Sequence, residues 1–222
     1  ATVRQGPWRL ATGELGDGDD VLNVQGILNT GGGTLSLGAG SDTFTIGDGT
    51  LVLGTVDGGA GLDVFNPNIN TSANLGALTN FEFINKSGSA VLNVHGPAQS
   101  DFTSVNVLAG TLNIGAAGGI RGVGSATVAG GATLDLDGNL LFTSGDDTLT
   151  VAGTVTGGGT LDLGDGNDTF TIQDGANLEH VSGMIITAVR ALAVFSRIPH
   201  RENVIDSEAV RAGEVYFGRA WS

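Results

Sequence analysis

The chain has 222 residues, no cysteine, 39 glycines and a net charge of −14, from 23 acidic against 9 basic side chains. That balance excludes an electrostatic grip on nucleic-acid phosphates, and the lack of cysteine excludes disulfides and thiolate metal sites. Disorder is argued against by 40% hydrophobic residues set in alternating runs.

From the N-terminus, residues 2–10 hold Trp8, one of two tryptophans, which is expected to plug the first coil of whatever follows. LGDGDDVLNV begins at Leu15, GGGTLSLG at Gly31, LGAGSDTFTI at Leu37 and GGAGLDVF at Gly58. AGTLNIG follows at Ala109, GGATLDLDG at Gly130, SGDDTLTV at Ser144, GGGTLDLG at Gly157 and LGDGNDTFTI at Leu163. In each run Leu, Ile, Val or Phe alternates with Thr, Ser, Asn or Asp, the period of a strand with one buried face. Phe44 and Ile46 are therefore expected inward, with Thr43 and Thr45 outward, and Phe170 inward in the later copy. Glycine between the runs lets the chain turn a corner through positive φ.

The aspartates closing five of these motifs are Asp20, Asp42, Asp63, Asp147 and Asp168, at intervals of 22, 21, 84 and 21 residues. Because 84 is four times 21, the phase survives a middle stretch in which the motif has faded. A period of this length indicates a solenoid, in which each unit buries its apolar face only by stacking on the next. The fold expected is all-β, a right-handed parallel β-helix of about 21 residues per coil, with two or three short strands in each. An antiparallel sandwich or barrel would also alternate, but does not require a 21-residue phase.

Past Gly183 the pattern stops. Residues 1–183 hold 37 glycines and 184–222 hold 2; the charge is −15 in the first part and +1 in the second. Two regions follow, a repeat domain over 1–183 and a non-repeat tail over 184–222, the latter a cap on the open core or an extension foreign to the repeat. A helix start is expected at 207–211. No apolar run reaches the 18 or so residues that span a bilayer; the longest, 184–195, is about 12 and carries Arg190. The only methionine is Met184, so the chain reads as a processed product or an excised fragment.

The runs GDGDD, GAGSD, GGAGLD and GDGND resemble the G-x-G-x-D core of RTX-type calcium-binding repeats, which makes Asp20, Asp42, Asp63, Asp147 and Asp168 calcium candidates. In that family the nonapeptides run in tandem, whereas here each occurs once per 21 or 22 residues. Stacked one per coil, such carboxylates lie about 5 Å apart and repel by about 0.8 kcal/mol in water, or about 3 kcal/mol at an effective dielectric near 20. A hard cation would offset that, and so would N–H groups of the glycine turn, since aspartate commonly caps its own turn. The second reading is preferred, so no cofactor is expected to be required.

Catalysis is not expected. A carbohydrate-active β-helix would need clustered carboxylates beside Arg or Lys. Arg4, Arg9, Lys86 and Arg121 are widely separated, and His95, His180 and His200 stand alone.

AGTLNIG, VAGGATLDLDG from Val128, VTGGGTLDLGDGNDTFTI from Val155 and GPWRLATGELG from Gly6 look like the passenger-associated strand repeats of Gram-negative autotransporters, over about residues 6–180. The resemblance implies a β-helical passenger at the cell surface or secreted, displayed by an outer-membrane barrel belonging to the parent protein and absent from this chain. It implies adhesion, aggregation or virulence, with a host-cell or matrix receptor as partner or self-association between cells. A secreted calcium-binding repeat protein and a carbohydrate-active β-helix are the alternatives.

Overall fold

The computed structural model describes residues 2–9, 13–95 and 102–179, and beyond them the strand segments Ile185–Thr187, Leu192–Phe195, Val204–Ile205 and Glu214–Gly218. The backbone is a parallel β-solenoid of about eight coils, and every coil described throughout lays three short strands on three faces. The long extended run Val21–Ala39 shows the plan, since it bends through two corners and supplies a strand to every face of one coil. Among the described residues no helix is long and apolar enough to cross a membrane.

On the first face 21–24 pairs in parallel with Thr43–Ile46, then Val64–Pro67, Phe83–Lys86, Ser104–Val107, Ser125–Val128, Thr148–Val151 and Thr169–Ile172. The second face stacks 27–29, 51–53, Ala73–Leu75, Val91–Val94, Thr111–Ile114, Thr133–Leu136, Thr154–Thr156 and Asn177–Glu179. The third is described in two stretches, Gly13–Glu14 to Ala77–Thr79 and Gly119–Val123 to Thr160–Asp162. Three strands are thus observed in each coil described throughout, where two or three were expected.

The 84-residue interval is four coils that are not four times 21. Val64 pairs with Phe83, Phe83 with Ser104, Ser104 with Ser125 and Ser125 with Thr148, steps of 19, 21, 21 and 23 residues. A coil two residues short is balanced by one two residues long, so the motif returns in phase.

Alternation puts one side of every strand into the core. Phe44, Ile46, Phe65, Leu149, Val151 and Phe170 are buried, while their neighbours on the strand are half-buried or exposed. The aromatic cluster lies in the early coils: Phe44 stacks on Phe65 with centroids 5.1 Å apart, and Phe81 closes on both at 6.2 and 6.4 Å. Phe170 points inward as expected, but its register partners are Leu149 and Ala193, so it belongs to no aromatic ladder.

Leu192–Phe195 continues the first face by pairing in parallel with Thr169–Ile172, so strand stacking carries past Gly183. Glu214–Gly218 pairs antiparallel with Ile185–Thr187 and with Val204–Ile205. The expected helix start at 207–211 and the side chain of Trp8 lie outside the described residues.

Candidate functional sites: an acidic corner and an uncharged face

The G-x-G-x-D motif makes the corner between the third face of one coil and the first face of the next. In the copies that follow the first, its glycines are there because the preceding coil leaves no space for a Cβ. At Gly61, whose φ is +146°, a methyl group would sit 1.7 Å from the carbonyl oxygen of Gly40, and at Gly38, φ +120°, 1.7 Å from that of Gly16. The coils stack backbone on backbone, and the closing aspartate enters at the end of this close approach.

All five predicted aspartates occupy this one corner, in two groups. Asp42, Asp63, Asp147 and Asp168 are buried and Asp20 is half-buried. The N–H of Asp20 donates to Oδ1 of Asp42 at 2.7 Å, that of Asp42 to Oδ1 of Asp63 at 2.7 Å, and that of Asp147 to Oδ1 of Asp168 at 3.0 Å. The carboxylates of Asp42, Asp63 and Asp168 therefore cap the coil before them, where capping of their own turns was expected. Among the four buried aspartates only Asp147 does the latter, accepting from the Thr143 N–H at 2.9 Å and the Thr143 hydroxyl at 2.7 Å.

The direction follows from strand geometry, since consecutive N–H groups point to opposite neighbours in a parallel ladder. One residue earlier the polarity reverses: the N–H of Ser41 donates back to Asp19 at 2.8 Å, and that of Asn167 to Asp146 at 2.9 Å.

Sequence reading missed one member. Glu82 follows Asp63 by 19 residues, and its Oε2 accepts the Asp63 N–H at 2.6 Å. The longer side chain serves in the shortened coil. The visible sign was a carboxylate just ahead of the alternating run Phe83–Lys86, but the 21-residue count passes over it. Beyond Glu82 the corner runs without carboxylates. The N–H groups of Gly124 and Ser125 both donate to the carbonyl of Thr103, and those of Glu82 and Phe83 to the carbonyl of Asp63. Main chain does there what the aspartates do elsewhere.

One oxygen of each pair is left over. Oδ2 of Asp42, Asp63 and Asp168 is buried without a hydrogen-bond partner. Burial pushes the Asp63 carboxyl up from the usual range against the opposing N–H of Asp42, and Asp42, Glu82 and Asp57 add to the rise. Asp168 is raised in the same way, by burial first and then by Asp147, Asp146 and Asp162. Among the described residues no three His, Cys, Asp or Glu side chains are grouped so as to hold a metal ion.

Lys86 is the second residue whose place the sequence concealed. It is the chain's only lysine, it faces inward beside Ile84, and it is buried. Its ammonium donates to the carbonyls of Ser87, Gly88 and Ala109, each at 2.9 Å. Burial lowers its pKa to about 8. His95 is exposed at the end of Val91–Val94; His180 and His200 lie outside the described residues.

The first face offers a different kind of surface. The eight strands from 21–24 to Thr169–Ile172 present two outward residues each: Val21 and Asn23, Thr43 and Thr45, Val64 and Asn66, Phe83 and Asn85, Ser104 and Asn106, Ser125 and Thr127, Thr148 and Thr150, Thr169 and Thr171. None of these sixteen is charged. Asn66, Asn85 and Asn106 form an amide ladder, each bond 3.0 Å, and the Ser125 hydroxyl donates to that of Ser104 at 3.1 Å.

Comparison with family models, curated proteins and solved structures gave no match.

Proposed function

We propose that the chain is the non-enzymatic passenger of an autotransporter, displayed at the cell surface and adhering through its first face to a host or matrix receptor or to the same protein on a neighbouring cell. The observation that supports this reading is the uncharged face. On a chain of charge −14, sixteen outward positions in eight strands carry no charge. A chain so acidic repels its own kind and other acidic surfaces at a distance, but screening confines that repulsion to about 8 Å at physiological salt. A flat face of hydroxyl, amide and methyl groups then meets a partner without a desolvation penalty for charge.

Size sets the strength. Seven steps of about 4.8 Å by three residues of about 3.3 Å make a face of roughly 34 by 10 Å. That is well below the roughly 800 Å² per partner of a stable interface. A single contact is weak, and firm attachment comes from many displayed copies acting together.

Display of the chain on a non-adherent bacterium tests the reading. Attachment to cells or matrix should appear, and should fall sharply when Thr127 and Thr150 are both changed to Glu. Unchanged attachment in that variant would refute the face, and turnover of a polysaccharide by the purified chain would refute the non-enzymatic reading. A secreted calcium-binding repeat protein is the second reading, favoured by the unpaired Oδ2 atoms of Asp42, Asp63 and Asp168.

A further inference from the structure

We propose that the acidic corner is a proton-binding site, in which Asp63 and Asp168 take up protons on mild acidification and thereby tighten the solenoid. The geometry is that of a half-used carboxylate. Oδ1 of each accepts the N–H of the preceding aspartate, at 2.7 Å for Asp63 and 3.0 Å for Asp168, while Oδ2 is buried and has no partner. An unpaired charged oxygen in that position destabilises the fold. Protonation removes the charge and leaves the Oδ1 acceptor in place.

Space favours a proton over a metal. A methyl at Gly58 would lie 2.8 Å from Oδ2 of Asp63 and 2.0 Å from the carbonyl oxygen of Asn80, so Oδ2 lies close to the Gly58 backbone in a space too tight for a methyl. Calcium requires six to eight oxygens at about 2.3–2.6 Å. A proton adds no volume.

The surrounding charges all push one way. Asp63 faces Asp42, Glu82 and Asp57, and Asp168 faces Asp147, Asp146 and Asp162, every one acidic. Both carboxyls are raised, chiefly by burial. A carboxyl with a higher pKa folded than unfolded binds more protons in the folded state. Stability therefore grows as pH falls through the folded pKa, and the gain is complete below the unfolded value of about 3.9. This is opposite in sign to the usual behaviour of salt-bridged aspartates.

The test is the melting temperature of the chain between pH 7.5 and pH 5.0 in the presence of EDTA. It is compared with Asp63→Asn, Asp168→Asn and the double variant, and with the exposed controls Asp17→Asn and Asp174→Asn. The wild type should gain in melting temperature on acidification. The double variant should melt at least as high as wild type at pH 7.5 and lose most of the gain, while the controls keep it. A wild-type melting temperature that stays flat or falls, or a double variant that gains as much as wild type, overturns the proposal. If the Asn variants do not fold, carbon NMR titration of the wild-type carboxyls decides: midpoints for Asp63 and Asp168 at or below about 3.9 overturn it. Replacing EDTA with millimolar calcium separates the two ligands. Calcium that raises the melting point and abolishes the acid gain would show that the oxygens hold a metal instead.

Discussion

At Asp42 and Asp63 the corner of the solenoid is tied by carboxylates reaching across to the coil before, and the turn is lined by glycines pressed on carbonyls. At Thr103 and Gly124 the same corner in the same stack is tied by two N–H groups sharing one carbonyl, with no acidic side chain at all. The two regions differ in the core as well. Three phenylalanines touch in the early coils, whereas the register positions of Phe44 and Phe65 are filled in the following coils by Ile84, Val105 and Ala126. The stacking period is thus a property of the backbone ladder, and the motif is one of two local ways to satisfy it. That is why the motif can fade over 84 residues while the phase returns.

Removing Phe65 should separate the regions most. Phe65→Ala takes the central ring from the cluster and should cost about 4 kcal/mol, whereas Val105→Ala at a middle coil should cost about 1–2. Urea unfolding monitored by circular dichroism reads both. Equal losses would mean that the coils relax around the missing ring and that the aromatic cluster does not set the early coils apart.

The glycines sharpen the comparison at the corner itself. Gly61→Ala sets a methyl 1.7 Å from the Gly40 carbonyl at a φ that L-residues avoid, and should cost about 3 kcal/mol or more. At Gly124 the nearest atom to an added methyl is the Thr103 carbonyl at 3.5 Å, an ordinary contact. Gly124→Ala should then lie within about 1 kcal/mol of wild type, in either direction. Comparable losses at the two positions would dissolve the distinction between the two corner types.

What could be read from sequence divides along the same line. The alternation of Thr43–Ile46 and Thr169–Ile172 shows which side chains are inward, because period 2 is a local property. The acidic corner was legible as a set of five aspartates, because equal spacing in a solenoid means stacking. Which N–H each carboxylate caps was not legible, since the donor sits one coil away and its direction depends on the ladder. Glu82 escaped because a short coil moved it off the count, and the absence of charge on the first face emerged only once eight of its strands were aligned. Lys86 was the hardest: the run from Phe83 puts it in phase with Ile84, yet a charge at an inward position reads as a break in the pattern until its three carbonyls are seen.

Lys86 gives the last contrast between the regions. In the early coils the corner between the first and second faces is tied by a neutral hydroxyl, that of buried Thr50, which donates to the carbonyls of Gly47 at 2.8 Å and Val24 at 3.2 Å. In the coil of Lys86 a cation performs this task, its charge met by carbonyl dipoles and its pKa lowered by burial to about 8. In the unfolded chain the same group titrates near 10.4. Between about pH 8 and pH 10.4 the unfolded state binds more protons, so stability should rise with pH across that window, by about 3 kcal/mol in all. Because this is the only lysine, the effect is assignable. Urea unfolding at pH 7.5, 9 and 10 should show wild type gaining on Lys86→Met as the pH rises. A constant difference between the two proteins would mean that Lys86 titrates at its ordinary value, and that the carbonyls compensate fully for its burial.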